Sequence, residues 1–261
     1  MVERFFLTPP RQLLEQPDPI ILLSGPPSSG KTSLLFQFAF NSAVESGGTV
    51  VILCNRRRLE TNPPFLSQGV DPSSETFQRI QIKYVDDDEG IKNYFAAFHF
   101  HLHDSSFPVS VIIDDFADFF DQRNCQERYS NPRGRDLAMV RVLALCRNAI
   151  DHANNNSKQP GGGCTLVFSD THKGKAADSP MLLLYIYKRW VSSIYTTTQG
   201  HEYDGSGSSS SSSSFILRKI YSSDTSTSTS TVKMMMRSAA KYSIATQYLV
   251  LEGITTHGYE N

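Results

Sequence analysis

Short apolar segments alternate with helix-forming stretches along the first two thirds of the chain. Strands are predicted at "PIILLSG", "GGTVVILCN", "QRIQIKYV", "VSVIIDDF" and "CTLVFSD". Unbroken apolar runs such as residues 20–23 are typical of strands that are buried on both faces of a parallel sheet. The stretches "KTSLLFQFAFNSAVES", "DDDEGIKNYFAAFHFHLHD" and "GRDLAMVRVLALCRNAIDHA" predict helices between them. Strands that alternate with helices indicate an α/β fold, with a mostly parallel sheet and helices on both of its faces.

The pattern changes after residue 171. The segments "YIYKRWVSSIYTT", "SFILRKIY" and "YSIATQYLVLE" predict β-structure without intervening helices, and we interpret them as antiparallel strands at one edge of the sheet. Ser-rich tracts at 205–214 and 222–231 predict disordered loops, because they offer no apolar surface to bury. Residues 1–18, broken by prolines, predict an extended lead-in. Residues 19–261 are then one domain.

Charge and composition narrow the class of protein. The formal net charge is −1, so a contact with nucleic acid has to come from a local basic patch. No apolar run approaches the roughly 18 residues that cross a bilayer, and the start "MVERFFLTPPRQ" lacks a signal pattern. We therefore expect a soluble intracellular protein. Its four cysteines lack the close spacing of zinc or redox motifs, which predicts free thiols.

A phosphate-binding loop is predicted between the first strand and the first helix. "GPPSSGKT" at residues 25–32 matches G-x-x-x-x-G-K-[ST]. In this motif the glycines let main-chain amides point at phosphate oxygens, the lysine adds a cation, and the final hydroxyl ligates Mg²⁺. We expect ATP and Mg²⁺ as cofactors. The candidate nucleotide-binding residues are Gly25, Pro26, Pro27, Ser28, Ser29, Gly30, Lys31, Thr32 and Ser33.

A carboxylate for the metal is predicted at the end of the fourth strand. Asp114 follows the apolar run of "VSVIIDDF", where a carboxylate can orient Mg²⁺ through water. Thr32 and Asp114 are therefore the candidate metal residues. Asp115 is either a second acid or a solvent-facing neighbour. Lys31, Asp114 and Asp115 are the candidate catalytic residues.

These segments together resemble the core of the RecA-type recombinases. More narrowly, "VVILCNRRRLE" and "FQRIQIKYVDDDEGIKNYF" are similar to the SWIM-domain-protein-associated ATPase, a divergent recombinase paralogue. The resemblance implies a RecA-like P-loop NTPase that mediates homologous recombination repair in the nucleus. It also implies binding to single-stranded DNA, a SWIM zinc-finger protein as partner in a heteromeric complex, and support of the main recombinase.

One residue departs from the pattern of the family in a way that bears on hydrolysis. RecA-type ATPases carry a water-polarising Glu just after the second strand, and Asn55 stands at that place, followed by Arg56. An amide does not accept a proton from water. Asp115 or Glu60 are the alternative acids. We expect nucleotide binding with slow turnover, stimulated by DNA or a partner, and "NRRRLE" is either a solvated turn or a DNA- or partner-facing patch.

Two segments correspond to the DNA-facing loops that the resemblance implies. The first, "DQRNCQERYSNPRGRD", contains Arg123, Arg128, Arg133 and Arg135; the second, "DTHKGKAADSP", contains Lys173 and Lys175. Clustered cations in a neutral chain suit contact with phosphates. Ordinary polar loops are the alternative interpretation for both.

Three further questions stay open at this level. "RFFLT" near the start either docks on a neighbouring subunit or packs against its own domain. "HFHLH" is interpreted as a helix end rather than a metal site. As for function, the rivals are a non-catalytic RecA-like scaffold of the Elongator type and a P-loop phosphotransferase.

Overall fold

The chain folds around one mixed β-sheet in a computed structural model. The structure describes residues 2–7, 18–100, 107–129, 131–157, 163–171, 179–200, 214–222 and 237–257. Within these ranges the strands are β1 (Ile20–Gly25), β2 (Val50–Cys54), β3 (Ile80–Tyr84), β4 (Ser110–Ile113), β5 (Thr165–Thr171), β6 (Ser193–Gln199), β7 (Ser214–Ser222), β8 (Arg237–Ala245) and β9 (Tyr248–His257). The helices are α1 (Lys31–Ser46), α2 (Arg56–Thr61), α3 (Asp88–Ala96), α4 (Arg123–Arg128), α5 (Pro132–Asn156) and α6 (Ser179–Lys188).

The strand order confirms the predicted α/β fold. The described strands lie in the order β3-β2-β4-β5-β1-β6-β7-β8-β9. The first six in that order pair in parallel, and β7, β8 and β9 add antiparallel strands at one edge. The carboxyl ends of β1, β4 and β5 therefore meet at the same edge of the sheet, where α/β proteins bind ligands.

Alternate side chains of β1 point into two separate cores. Ile20 and Leu22 pack in one hydrophobic cluster together with buried residues of α3 and α5. Ile21 and Leu23 pack in the other cluster together with residues of α1. All four side chains are almost fully buried, as expected of a strand that is covered by helices on both faces.

The start of the chain packs on its own domain. Val2–Phe5 form a 3₁₀ helix, so the predicted extended lead-in is wrong for these residues. The Phe5 ring lies 5.3 Å from that of Phe38, and the Phe6 ring 5.5 Å from that of Tyr242. Phe5 and Phe6 are 1% and 0% exposed. The structure therefore supports the interpretation in which "RFFLT" packs against its own domain.

Two segments of the C-terminal part differ from their predicted form. "YIYK" was predicted as strand, but it ends α6, where the Tyr187 ring packs 5.6 Å from that of Phe168. "YSIATQYLVLE" was predicted as one segment and is a hairpin: Thr246 and Gln247 have φ of 48° and 66° and separate β8 from β9. Positive φ at both central residues matches the twist of paired strands.

Other predictions concern helix lengths and segments outside the described ranges. The helix expected over 86–104 is shorter, since α3 ends at Ala96 and a 3₁₀ turn, Phe98–Phe100, follows. Residues 8–17, 101–106 and most of both Ser-rich tracts lie outside the described ranges. All four cysteines are buried free thiols, as predicted. Among the described helices, none has the length and apolar character of a membrane span.

Candidate nucleotide-binding site

The predicted phosphate loop joins the end of β1 to the start of α1. Gly30 adopts φ 75° and ψ 19°, in the left-handed region, and Ser28 has φ 59°. Glycine is the residue that takes such a conformation at little cost. Pro27 and Ser28 are exposed, so the tip of the loop is open to solvent. The amides of the first turn of α1 lack intrahelical acceptors, and with the helix dipole they form a site for anions.

The Lys31 side chain places a cation inside this loop. Its Nζ donates hydrogen bonds to the carbonyl oxygens of Pro26 (2.7 Å) and Gly25 (3.3 Å). Lys31 is 7% exposed. Burial lowers the pKa of its ammonium group, and nearby carboxylates, led by Asp115, oppose that shift. The carboxylates therefore favour the charged form of Lys31.

Thr32 and Asp114, the two candidate metal residues, are in direct contact. Thr32 Oγ1 donates a hydrogen bond to Asp114 Oδ2 at 3.0 Å, and Ser169 Oγ donates to Asp114 Oδ1 at 2.9 Å. Burial and the neighbouring Asp115 raise the pKa of Asp114, whereas the bonds from Ser169 and Thr32 lower it. Mg²⁺ is commonly bound by one or two oxygen ligands of the protein together with phosphate oxygens of a nucleotide. These residues therefore fit a magnesium–nucleotide complex.

Ser33, the last candidate of the loop, has a structural contact instead. Its Oγ accepts a hydrogen bond from the amide of Phe65 at 2.9 Å, and Ser33 is 4% exposed. The side chain ties α1 to the segment after α2. Its main-chain amide is the group that remains suited to a phosphate.

The segment after β2 forms a helix rather than the predicted turn. Asn55, at the place of the family's Glu, is the N-cap of α2, and its side chain accepts a hydrogen bond from the Arg58 amide at 3.2 Å. Glu60 is exposed on α2. Residues two apart point about 200° apart around a helix. With Arg58 turned toward the carboxylates described next, Glu60 points away from them.

Asp115 is tied into an ion-pair network by Arg58, a residue whose role the sequence did not reveal. The guanidinium of Arg58 pairs with Asp115 Oδ2 and, at 3.0 Å, with Asp118 Oδ2. Asp115 is buried, with φ 59°, and its amide donates to Ser169 Oγ at 2.8 Å. The interpretation as a solvent-facing neighbour is wrong. The Arg58 contact also makes Asp115 a poor free base.

A third carboxylate, Asp170, lies at the end of β5. It pairs with Ser24 in the register of β1 and β5, directly before the phosphate loop. Asp170 is 4% exposed, and burial together with the Asp115 charge raises its pKa to about 7. The Tyr187 hydroxyl lies beside it without good hydrogen-bond geometry, and burial raises the pKa of Tyr187 too. This carboxyl is poised between its neutral and charged forms near neutral pH.

The C-terminal strands hold the phosphate loop from behind. Thr197 Oγ1 donates to Ser29 Oγ at 2.9 Å, and the Tyr242 hydroxyl donates to the Ser29 carbonyl at 2.6 Å. A Cβ added to Gly25 would lie 1.8 Å from Thr197 Oγ1, and one added to Gly30 would lie 2.6 Å from Ile244 Cδ1. The two glycines of the motif therefore also permit close contact with β6 and β8.

The arginines predicted to face DNA lie on helices and mostly form ion pairs. Arg128 pairs with Asp87 and with Asp88, which is 1% exposed at the start of α3. Arg135 pairs with Asp121 at 2.6 Å.

Two of the four predicted arginines are more open. Arg123 is highly exposed and pairs with Glu127 at 2.7 Å, one turn along α4. Arg133 is exposed at the start of α5. Lys173 and Lys175 lie outside the described ranges. Among the described residues, no group of three or more histidines, cysteines or acids is arranged to hold a metal ion by itself.

The fold and the site define the class of the protein. A phosphate loop after β1, a carboxylate at the end of β4 and antiparallel strands beside the parallel sheet are the core of a RecA-like P-loop ATPase fold. No protein-family model matches the chain. The chain is similar to the human protein named ATPase SWSAP1, with 25% identity over 172 residues, which are 66% of this chain and 68% of that protein. The predicted resemblance to a RecA-like paralogue is thereby confirmed.

Proposed function

We propose that this protein binds ATP with Mg²⁺ and acts as a mediator of homologous recombination repair. In this proposal it works in the nucleus in a heteromeric complex with a SWIM zinc-finger protein, binds single-stranded DNA and supports a recombinase. The similarity to ATPase SWSAP1 supports the ATPase class. The recombination role, DNA and the partner rest on the family resemblance.

The observation that carries the nucleotide proposal is the contact between Thr32 and Asp114 beside Lys31. Residues 82 positions apart in the chain meet at 3.0 Å between a hydroxyl and a carboxylate oxygen. Next to them, the Lys31 ammonium is held on loop carbonyls. In the proposed complex Lys31 binds the β- and γ-phosphates, and Thr32 and Asp114 hold Mg²⁺, which offsets the phosphate charge.

We further propose that turnover is slow and that bound ATP serves mainly as a structural signal. General-base catalysis needs a proton acceptor within hydrogen-bond reach of the attacking water. Asn55 caps α2 instead, and Asp115 is paired with Arg58. The same observation favours a second candidate function, a RecA-like scaffold that uses no hydrolysis at all.

For DNA, the open cations are the proposed contacts. Arg123 and Arg133 are exposed on α4 and at the start of α5. Lys173 and Lys175 are proposed from their place after β5. Arg128 and Arg135 take part less, because their ion pairs with α3 and with Asp121 have to break before they reach a phosphate.

The test is a binding and turnover series on wild type, Lys31→Ala and a matched control, Lys92→Ala, which removes an exposed lysine on α3. A fluorescent ATP analogue with Mg²⁺ should bind wild type and Lys92→Ala equally, and bind Lys31→Ala at least about tenfold more weakly, a loss of about 1.4 kcal/mol. Equal binding by all three refutes the nucleotide site.

The rate of ATP hydrolysis and the retention of the protein on single-stranded DNA then distinguish the candidate functions. Slow hydrolysis that single-stranded DNA accelerates supports the mediator, and binding without any hydrolysis supports the scaffold. Phosphate transfer to a small acceptor without DNA supports a phosphotransferase. Retention on single-stranded DNA should fall steeply as salt rises. Capture of a SWIM zinc-finger protein by the intact chain tests the partner, and its absence removes the reason for the mediator role.

A further inference from the structure

A cation, rather than an acid, reaches from the end of β2 toward the candidate metal residues. We propose that Arg58 is a sensor of the terminal phosphate. When ATP is bound, Arg58 releases the carboxylates of Asp115 and Asp118 and pairs with the γ-phosphate instead. This inference rests on the proposed nucleotide site and assigns a positioning role within it. It makes α2 the element that responds to the difference between ATP and ADP.

A continuous line of hydrogen bonds joins Arg58 to the candidate metal site. Thr32 donates to Asp114, Ser169 donates to the same carboxylate, the Asp115 amide donates to Ser169, and the Asp115 carboxylate pairs with Arg58. The first three of these links span 2.8–3.0 Å between donor and acceptor atoms. A change in the charge at Thr32 and Asp114 therefore acts on the pair between Asp115 and Arg58 through direct contacts.

The acidic residues of the site favour a further protein cation beside Lys31 and the proposed Mg²⁺. A triphosphate placed against Lys31 comes close to two acids, the half-buried Asp114 and the buried Asp115, whose negative charges repel it. Arg58 and Lys31 lie close enough that the Arg58 charge contributes to lowering the pKa of Lys31. A guanidinium matches the oxygens of a phosphate with paired N–H donors. Arg58 therefore has both the charge and the shape to neutralise the third phosphate.

The contacts of Arg58 allow it to change partners. Its side chain is 43% exposed, so water reaches the guanidinium, whereas the side chain of Asp115 is 7% exposed. Release of Arg58 therefore leaves a buried carboxylate without its cation, and the contact of the guanidinium with a phosphate has to offset this cost. α2 has six residues, and none of them is buried, so its movement disrupts little packing. A ligand shifts such an equilibrium by its different affinity for the two arrangements. Exchange of the Asp118 and Asp115 carboxylates for a phosphate supplies that difference.

The experiment compares Arg58→Gln with Arg57→Gln, a matched control in the same turn of α2 with an exposed side chain. Calorimetry with Mg–ATP and with Mg–ADP gives the ratio of the two affinities for each protein. For Arg58→Gln we expect the affinity for ATP to fall at least tenfold while that for ADP stays within about twofold. Arg57→Gln should keep both affinities, and Arg58→Lys should lie between Arg58→Gln and wild type.

Each remaining outcome points one way. Unchanged affinities in Arg58→Gln, equal losses for ATP and ADP, or equal effects of Arg57→Gln overturn the sensor. If wild type binds neither nucleotide, and Lys31→Ala behaves as wild type does, the proposed nucleotide site itself fails. Glutamine keeps side-chain donors, and thermal unfolding of each variant confirms that it is folded; should Arg58→Gln not fold, Arg58→Lys alone must still show a selective loss of ATP affinity.

Discussion

Gly25→Ala is expected to disturb the phosphate loop from behind rather than from its phosphate side. The added Cβ would lie 1.8 Å from Thr197 Oγ1 and 3.2 Å from Ser29 Oγ. Thr197 is 1% exposed, so its side chain has no free space to rotate into. The neighbouring pair, Ser24 with Thr196, fixes the two strands in register. The clash therefore has to be relieved by movement of the loop or of β6.

The magnitude follows from two contributions. Overpacking of a well-packed site costs about 1–3 kcal/mol. Displacement of Thr197 also breaks its hydrogen bond to Ser29, which contributes about 1 kcal/mol. For a chain of this size each kcal/mol lowers Tm by about 2–4 °C, so we expect a loss of roughly 5–15 °C. ATP affinity should fall as well, because the loop amides are displaced.

Thermal unfolding of Gly25→Ala, Thr197→Ala and the double variant measures this directly. Removal of the Thr197 hydroxyl removes the closest clash and leaves a Cβ at 3.1 Å, so the double variant should recover at least about 1 kcal/mol relative to additivity. Gly253→Ala is the matched control, since an added Cβ there meets nothing within 4 Å. Additive single effects, or a loss in Gly253→Ala as large as in Gly25→Ala, would refute the reasoning.

Three further predictions concern buried charge, the basic helices and the N-terminal aromatic residues. The pKa of Asp170 is raised to about 7, so the folded state holds a proton that the unfolded state releases from about pH 4 upward. The free energy of unfolding should therefore fall as pH rises from 4 to 7, by up to about 1.4 kcal/mol per pH unit. Asp170→Asn should lack this part of the pH dependence in urea unfolding, and a profile unchanged from wild type contradicts the prediction. Arg128→Ala should lower the free energy of unfolding in urea by about 1–3 kcal/mol, because it leaves the buried Asp88 carboxylate without its partner. Arg133→Ala should change it by no more than about 0.5 kcal/mol and should weaken retention on DNA. Equal losses of stability in the two variants would contradict the assignment of Arg128 to a structural ion pair and of Arg133 to DNA. Phe6→Ala should cost about 3–5 kcal/mol by leaving a cavity, and a change below 1 kcal/mol in thermal or urea unfolding would mean that the segment is not part of the core.

The parts of the fold that the sequence predicted well have strong local signals. α1 was predicted over its full observed length from Lys31 to Ser46, because the phosphate motif marks its start and Gly47 its end. The inner strands were predicted because unbroken apolar runs have few other uses in a chain of this composition. The loop and Asp114 followed from motif and context, and the geometry brings Thr32 and Asp114 together.

The parts that were missed depend on contacts between distant residues. Tyr187 stands in an aromatic and β-branched stretch that suits a strand, yet it is buried by the end of α6 against Phe168. Arg58 looked like one of several arginines in a basic turn. Its pairing with Asp115, 57 positions on, depends on the cap by Asn55 and on the order of the sheet. Local pattern carries no information on such register, so neither contact was predictable.

The hold of Tyr242 and Thr197 on Ser29 has a consequence for the order in which the protein matures. Tyr242 and Thr197 lie 213 and 168 positions after Ser29 in the chain. The loop therefore emerges from the ribosome long before the strands that support it. Until the final hairpin docks, a nascent chain lacks the support for its own ligand site. A nucleotide would then bind only after the whole chain has been synthesised and folded.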